Sequence, residues 1–364
     1  MKKLLFLSIA LLSLASCSSD DDTKVEIPTV GETLKTSVGG PNQPNQLYLD
    51  LSTAESKSVS RTSWDFGFSS GSDFRVIING SLKMAVKKLA TSDITLSQVI
   101  DANVSVGAGT TLSNNGFVDN PTGVLAGAGA GIGTAIAEIS ATDTDNKVYL
   151  VNLGLAVSTT QPAVGSVSVD GEARGWKKVR ILRSGNGYKI QYADLTSATF
   201  TEKSISKDSD FNFSFFSLTS GSTVSVEPAK TKWDLNFTTF TNYIPSQDAD
   251  KKPIEVTYGY SDFITTNSKG GTQVYQVLTT AKTYEAFVKA DVVEANFTVS
   301  ATDQRVIGAN WRNGGGPTSL PSIRTDRFYV VKDAAGNYYK VKFLAMTNDA
   351  GLRGNTTLEY AMLK

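Results

Sequence analysis

The chain contains no histidine and a single cysteine, Cys17. Without imidazole there is no Ser-His-Asp triad, no histidine-ligated zinc and no bis-histidine haem. With one thiol there is neither an intrachain disulfide nor a cysteine-held metal cluster. Neither sign of charge is in excess, since Lys+Arg is 35 and Asp+Glu is 35. A nucleic-acid binder needs a basic face to displace counterions, so that class is set aside. Charged residues make up only 19% of the chain, with 31 Gly and 10 Pro. That composition is neither disordered nor collagen-like. What is left is a moderately hydrophobic chain of 364 residues, long enough for two domains.

The N-terminus gives an address. Lys2 and Lys3 precede an apolar run from Leu4 to Leu14, the length of a signal-peptide core and too short to span a bilayer comfortably. It ends in Leu14-Ala15-Ser16-Cys17, which resembles the bacterial lipobox, with Cys17 the residue to be lipidated. An ordinary signal peptide with an incidental Cys is the plainer alternative. Asp20-Asp21-Asp22 follows at once, and such an acidic run resembles the surface-export signal of Bacteroidetes lipoproteins. Residues 17–45 carry Pro28, Pro41 and Pro44 with little apolar content, which predicts a linker. No later stretch reaches transmembrane length.

The body repeats itself. Arg61-Thr62-Ser63-Trp64-Asp65-Phe66-Gly67-Phe68 returns 169 residues later as Lys230-Thr231-Lys232-Trp233-Asp234-Leu235-Asn236-Phe237. Ser72-Asp73-Phe74 returns as Ser261-Asp262-Phe263, so the second copy is 20 residues longer between these landmarks. Each is trailed by an asparagine, Asn79 and Asn267. A hairpin pattern recurs as well. Strand 178–183, a Gly-Asn-Gly turn and Tyr188-Lys189-Ile190-Gln191-Tyr192 match strand 327–332, a Gly336-Asn337 turn and Tyr339-Lys340-Val341-Lys342-Phe343. Period-two alternation around such turns predicts hairpins with one buried face. The expected class is all-β: two tandem antiparallel domains, at 46–208 and 209–364, with few short helices. Segments 94–102, 123–139 and 283–293 are the helical candidates.

The repeated Trp-Asp-x-x-Phe, the Ser-Asp-Phe with its trailing Asn, and the terminal Arg327-Phe328-Tyr329-Val330-Val331-Lys332 hairpin together resemble the HmuY-like lipoproteins of Bacteroidetes. The resemblance implies an all-β haemophore-like fold and outer-membrane attachment with exposure at the cell surface. It also implies haem capture, with a TonB-dependent receptor as partner. In that family an axial histidine lies shortly upstream of the last hairpin; here the stretch reads Gly308-Ala309-Asn310-Trp311-Arg312-Asn313-Gly314-Gly315-Gly316-Pro317.

If haem binds, its iron needs other ligands. Methionine serves in some relatives, and after the leader the chain has only Met84, Met346 and Met362. Met84 is the candidate thioether, against a plain core-filling role. Tyr258 and Tyr260, in the 20-residue insertion, are candidate phenolates or simply surface aromatics. Arg312 beside Trp311 could pair with a propionate. The glycines at 127–133 and 314–316 would let backbone approach a flat ring, or merely a neighbouring segment. The Trp-Asp pairs read first as structural: a core indole followed by an Asp that caps a turn or meets a cation. The reading is a non-enzymatic, surface-anchored protein that binds haem or a related small ligand. A glycan- or protein-binding surface module is the alternative, and a glycosidase built on a carboxylate pair ranks last.

Overall fold

A computed structural model describes residues 31–107, 117–315 and 320–364. The leader, Cys17 and the acidic run lie outside the described residues. The fold is all-β and every pairing between its strands is antiparallel. The three candidate helices do not form. Segment 283–293 and its neighbourhood give only the 3-10 turns Lys289–Asp291 and Glu294–Thr298, while 94–102 and 123–139 are irregular. Runs such as Val292-Val293 and a glycine at every second position of 127–133 do not sustain a helix. Among the described residues no helix is long and apolar enough to cross a membrane.

Each recurring hairpin forms as its alternation predicts. Trp176–Ser184 pairs with Gly187–Ala193, and Arg327–Lys332 with Tyr338–Thr347. Each lies within a five-stranded sheet. Tyr188 and Ile190 enter one hydrophobic core, Tyr339, Val341 and Phe343 the other.

The linker expected at 17–45 ends earlier. Glu32–Ser37 is a strand lying along Arg353–Leu363, from Glu32 opposite Tyr360 to Ser37 opposite Asn355. Its outer face is polar, which is why composition alone resembles a tether. It covers the edge of an 11-residue terminal strand that would otherwise be left open.

The boundary at 208/209 also needs correction, because the copies exchange their leading hairpins. The hairpin Asn45–Leu49/Ser56–Ser60 precedes the first Trp-Asp, yet it pairs with Leu235–Gln247 of the second copy, Leu47 opposite Phe237. The hairpin Phe213–Ser217/Ser222–Val224 precedes the second Trp-Asp, yet it pairs with Phe66–Ser69 of the first, Phe215 opposite Gly67. All sheets of the first unit therefore close within residues 61–232, and those of the second within 31–60 and 233–364.

The repeated motif explains how the exchange is held. Asp65 accepts the backbone N–H of Leu218 at 2.7 Å and the Arg174 guanidinium at 2.8 Å. Asp234 accepts the N–H of Leu51 at 2.9 Å and the Thr272 hydroxyl at 2.9 Å. Each carboxylate thus fastens the visiting hairpin. The trailing asparagines do the same job in both copies. Asn79 donates to the carbonyls of Arg61 and Trp64, and Asn267 to those of Lys230 and Trp233. Between the units, Tyr48, Trp64, Phe215, Val226 and Trp233 form a shared cluster.

Candidate functional site

That shared cluster borders a cleft of about 180 Å³ between the units. Both exchanged hairpins reach it, through Gln46 and Tyr48 from one and Phe213 and Phe215 from the other. The first unit contributes Trp64, Ser81, Met84 and the 118–125 loop, the second Trp233, Asn236, Phe240 and the Thr265–Lys269 turn. Two short threonine bonds hold the units across it: Thr239 donates to the Ser81 carbonyl at 2.7 Å and Thr241 to that of Gly80 at 2.6 Å.

Two buried carboxyls lie in the lining. Glu227 accepts the N–H of Phe213 at 2.9 Å, and burial pushes it up to about 7. Asp119 turns both oxygens inward, to the amides of Ala135 and Ile78, and desolvation raises it to about 7 although its residue is half-buried. These oxygens are occupied by backbone amides. Lys269 is exposed, with its ammonium 5.5 Å from the Phe213 ring centre. Among the described residues no cluster of His, Cys, Asp and Glu could hold a metal ion.

The structure disperses the residues proposed for haem. Met84 lines the cleft, but it is fully buried and belongs to the first hydrophobic core. Tyr258 and Tyr260 stand on the extended hairpin strand Pro253–Thr266 outside the cleft lining, their rings edge-to-face at 5.0 Å. Tyr258 is exposed, and Tyr260 leans on Phe263 at 5.6 Å. The 20 extra residues of the second copy lengthen this hairpin.

Trp311 is 1% exposed in the second core, against Phe343 at 4.7 Å. Arg312 is buried, and its Nε and Nη2 donate to the backbone carbonyls of Asp262, at 3.1 Å, and Ser261. It lies outside the cleft lining, away from where a propionate in the cleft would sit. The 127–133 glycines turn the chain onto itself; a Cβ on Gly127 would lie 2.0 Å from the Ile132 carbonyl oxygen. Gly314 and Gly315 are described, whereas Gly316 lies outside the described residues.

The family model described as HmuY protein matches residues 42–360. The chain belongs to the HmuY family. No curated protein matches the sequence. Among solved structures, the apo HmuY analog of Tannerella forsythia is similar at 9% identity and a TM-score of 0.24, covering 93% of this chain and 99% of its own. Apo PinO from Porphyromonas gingivitis is similar at 10% identity and a TM-score of 0.24, with the same 93% and 99% coverage.

Within this HmuY-family chain, the two sides of the cleft are not equivalent. On one side Trp64 Nε1 donates to Gln46 Oε1 at 2.9 Å, and Gln46 donates on to Thr238. On the other side the strand position that matches Gln46 is held by Phe213, which cannot accept, and Trp233 Nε1 has no partner among the described residues. Gly67 of the first copy is Asn236 in the second. At Gly67 the side chains of Ile77 and Phe215 fill the space where a Cβ would stand. Asn236 sits opposite Tyr48, and its Oδ1 is buried without a partner among the described residues.

Thr266 and Ser268, also in the lining, carry buried hydroxyls in the same condition. The sequence signal for this side was present in the repeat alignment, as the Gly67/Asn236 mismatch between the shared Trp-Asp and the shared Phe68/Phe237. Glu227 and Asp119 gave no local signal, because spatial proximity alone makes them notable.

Proposed function

We propose that this chain is a non-enzymatic lipoprotein that captures a small ligand at the cell surface and holds it in the cleft between its two units. The observation that carries the reading is the set of four lining residues, Trp233, Asn236, Thr266 and Ser268, whose buried polar atoms lack partners among the described residues. Buried donors and acceptors are ordinarily satisfied, and pockets of this kind combine apolar walls with a few convergent polar groups. The leader, Cys17 and the acidic run support attachment to the outer membrane by a lipid, with a TonB-dependent receptor as the partner that would take the ligand onward.

Haem is the ligand the family resemblance implies, and the lining residues do not fit it as folded. Among the described lining residues Met84 is the one soft axial donor, and its thioether is packed in a core. Tyr48, the tyrosine in the lining, has its hydroxyl pushed well above the ordinary phenol value by burial, which opposes a phenolate ligand.

The test is a Soret titration of residues 17–364 with haem, oxidised and then reduced, in the wild type, Met84→Ala and a cleft-filling Ser268→Trp. A small-molecule thermal-shift screen runs beside it. The reading expects at least one saturable ligand that Ser268→Trp abolishes. Binding that survives Ser268→Trp overturns the cleft as the site. A reduced haem spectrum that differs between wild type and Met84→Ala restores haem as the ligand.

A further inference from the structure

We propose that the Trp233–Asn236 side of the cleft binds a neutral pyranose sugar. The proposal rests on the cleft reading above and adds the chemical class of its ligand. Trp233 and Asn236 are each 8% exposed. One leaves an indole N–H without an acceptor, the other an amide oxygen without a donor, among the described residues.

A ligand that satisfies both must accept at one point and donate at another, which the hydroxyls of a sugar do. Asn236 is on the strand face away from the core, because its neighbours Leu235 and Phe237 belong to the second hydrophobic cluster. Tyr48 sits across the ladder from it and stands 5.0 Å from the Trp233 ring, edge to face. Aromatic surface beside an amide and hydroxyls suits a sugar ring, with its apolar C–H face and polar rim.

Charge argues for a neutral sugar over a phosphorylated one. Among the described residues no arginine lines the cleft, and Lys269 is its one lysine. The nearby Glu227 carboxyl is already accepting the Phe213 amide. The cleft volume, about 180 Å³, is well above the roughly 10–15 Å³ that one water needs, so it admits a guest larger than a single water.

The first copy supplies the internal control. There the equivalent indole is satisfied by Gln46 and the equivalent of Asn236 is Gly67, with Ile77 and Phe215 in the space beside it. The same motif is therefore satisfied on one side and left with unpartnered buried polar atoms on the other, among the described residues.

The experiment titrates residues 17–364 with glucose, galactose, mannose and N-acetylglucosamine at millimolar concentration. Intrinsic tryptophan fluorescence and calorimetry are the readouts. Trp233→Phe keeps an aromatic ring and removes the N–H; Asn236→Gly copies the first unit. The expected result is saturable binding of at least one sugar in the wild type, weakened at least tenfold in both variants. Thermal midpoints show that each variant is folded, and if Asn236→Gly is not, Asn236→Ser replaces it.

Sugar binding unchanged in the variants overturns the proposal. So does absence of sugar binding while haem or another screened molecule binds and is lost in Ser268→Trp, a result that leaves the cleft reading standing. No binding of any probe, with the orphaned groups serving only ordered water, overturns both.

Discussion

The hairpin exchange makes a sharp demand on fragments. Residues 46–208, a natural cut by sequence repeat, carry the first core but lack the 213–224 hairpin that completes it. Phe216 is 1% exposed and belongs to that core, and Phe215 is 5% exposed in the shared cluster. Losing two such buried aromatics removes about 3–6 kcal/mol at roughly 1.5–3 kcal/mol each. Asp65 keeps Arg174 but loses the Leu218 amide, which adds about 1–3 kcal/mol for a buried acceptor left short. The sum, about 4–9 kcal/mol, is comparable to the whole stability of a typical domain, about 5–15 kcal/mol. Residues 61–232 instead close every sheet of the first unit. What they give up lies at the junction: Tyr48 and Trp233 of the shared cluster, the Thr239 and Thr241 bonds to Ser81 and Gly80, and the bonds of Arg61 to the Gln43 carbonyl and Trp64 to Gln46, while every member of the first core is kept. Circular dichroism and calorimetry should therefore show a cooperative melt for 61–232 and none for 46–208. A cooperative melt of 46–208 matching that of 61–232 would refute the reasoning.

The local content of the fold was legible because it is local. Alternation in 188–192 and 339–343 specifies which face is buried, and the Gly-Asn turns set the register. The exchange was invisible for the same reason. Each hairpin is equally compatible with the copy it precedes and the copy it joins, since both copies present the same Trp-Asp acceptor. Only the pairing Leu47–Phe237 and Phe215–Gly67 decides between them. The candidate ligands failed differently. Arg312 and Trp311 read as a site because a cation beside an indole is common in one. Their solvent exposure, which a single sequence does not encode, decides the matter, and both are buried around the Asp262 backbone carbonyl. Met84 read as a thioether because few methionines are available, and its side chain lines the cleft but packs in the first core.

Further expectations concern single residues. Asp262→Ala should cost about 3–5 kcal/mol in urea unfolding, because Arg353 and Gln43, both buried, lose the carboxylate they share; a loss under about 1 kcal/mol would contradict the buried pairing. Met84→Ala should cost about 2–5 kcal/mol through the cavity it leaves in the first core, and a neutral substitution would show that the site collapses freely. Cys17→Ala should move the protein from the membrane fraction to the soluble fraction; unchanged detergent-dependent recovery would remove lipidation. The last expectation is pH dependence. Asp119, Glu227 and Asp234 are each held at about 7 in the fold, chiefly by burial. In the unfolded chain they titrate near 4. Between those values the native state binds protons that the unfolded state has released, so stability falls as pH rises. The contribution is complete below about pH 4 and is lost through about pH 7, at up to about 1.4 kcal/mol per pH unit for each group. The carboxylates held low by surface partners, such as Asp101 beside Lys87 and Asp326 beside Arg327, change protonation below this window and do not mask it. Urea midpoints should therefore drop between about pH 4 and about pH 7 and level off above it. Glu227→Gln keeps an acceptor for the Phe213 amide without the ionisation, so it should remove about one third of the slope. A flat wild-type profile, or a slope that Glu227→Gln leaves intact, would show that these carboxyls are solvated in the folded protein and that the cleft is wetter than its geometry indicates.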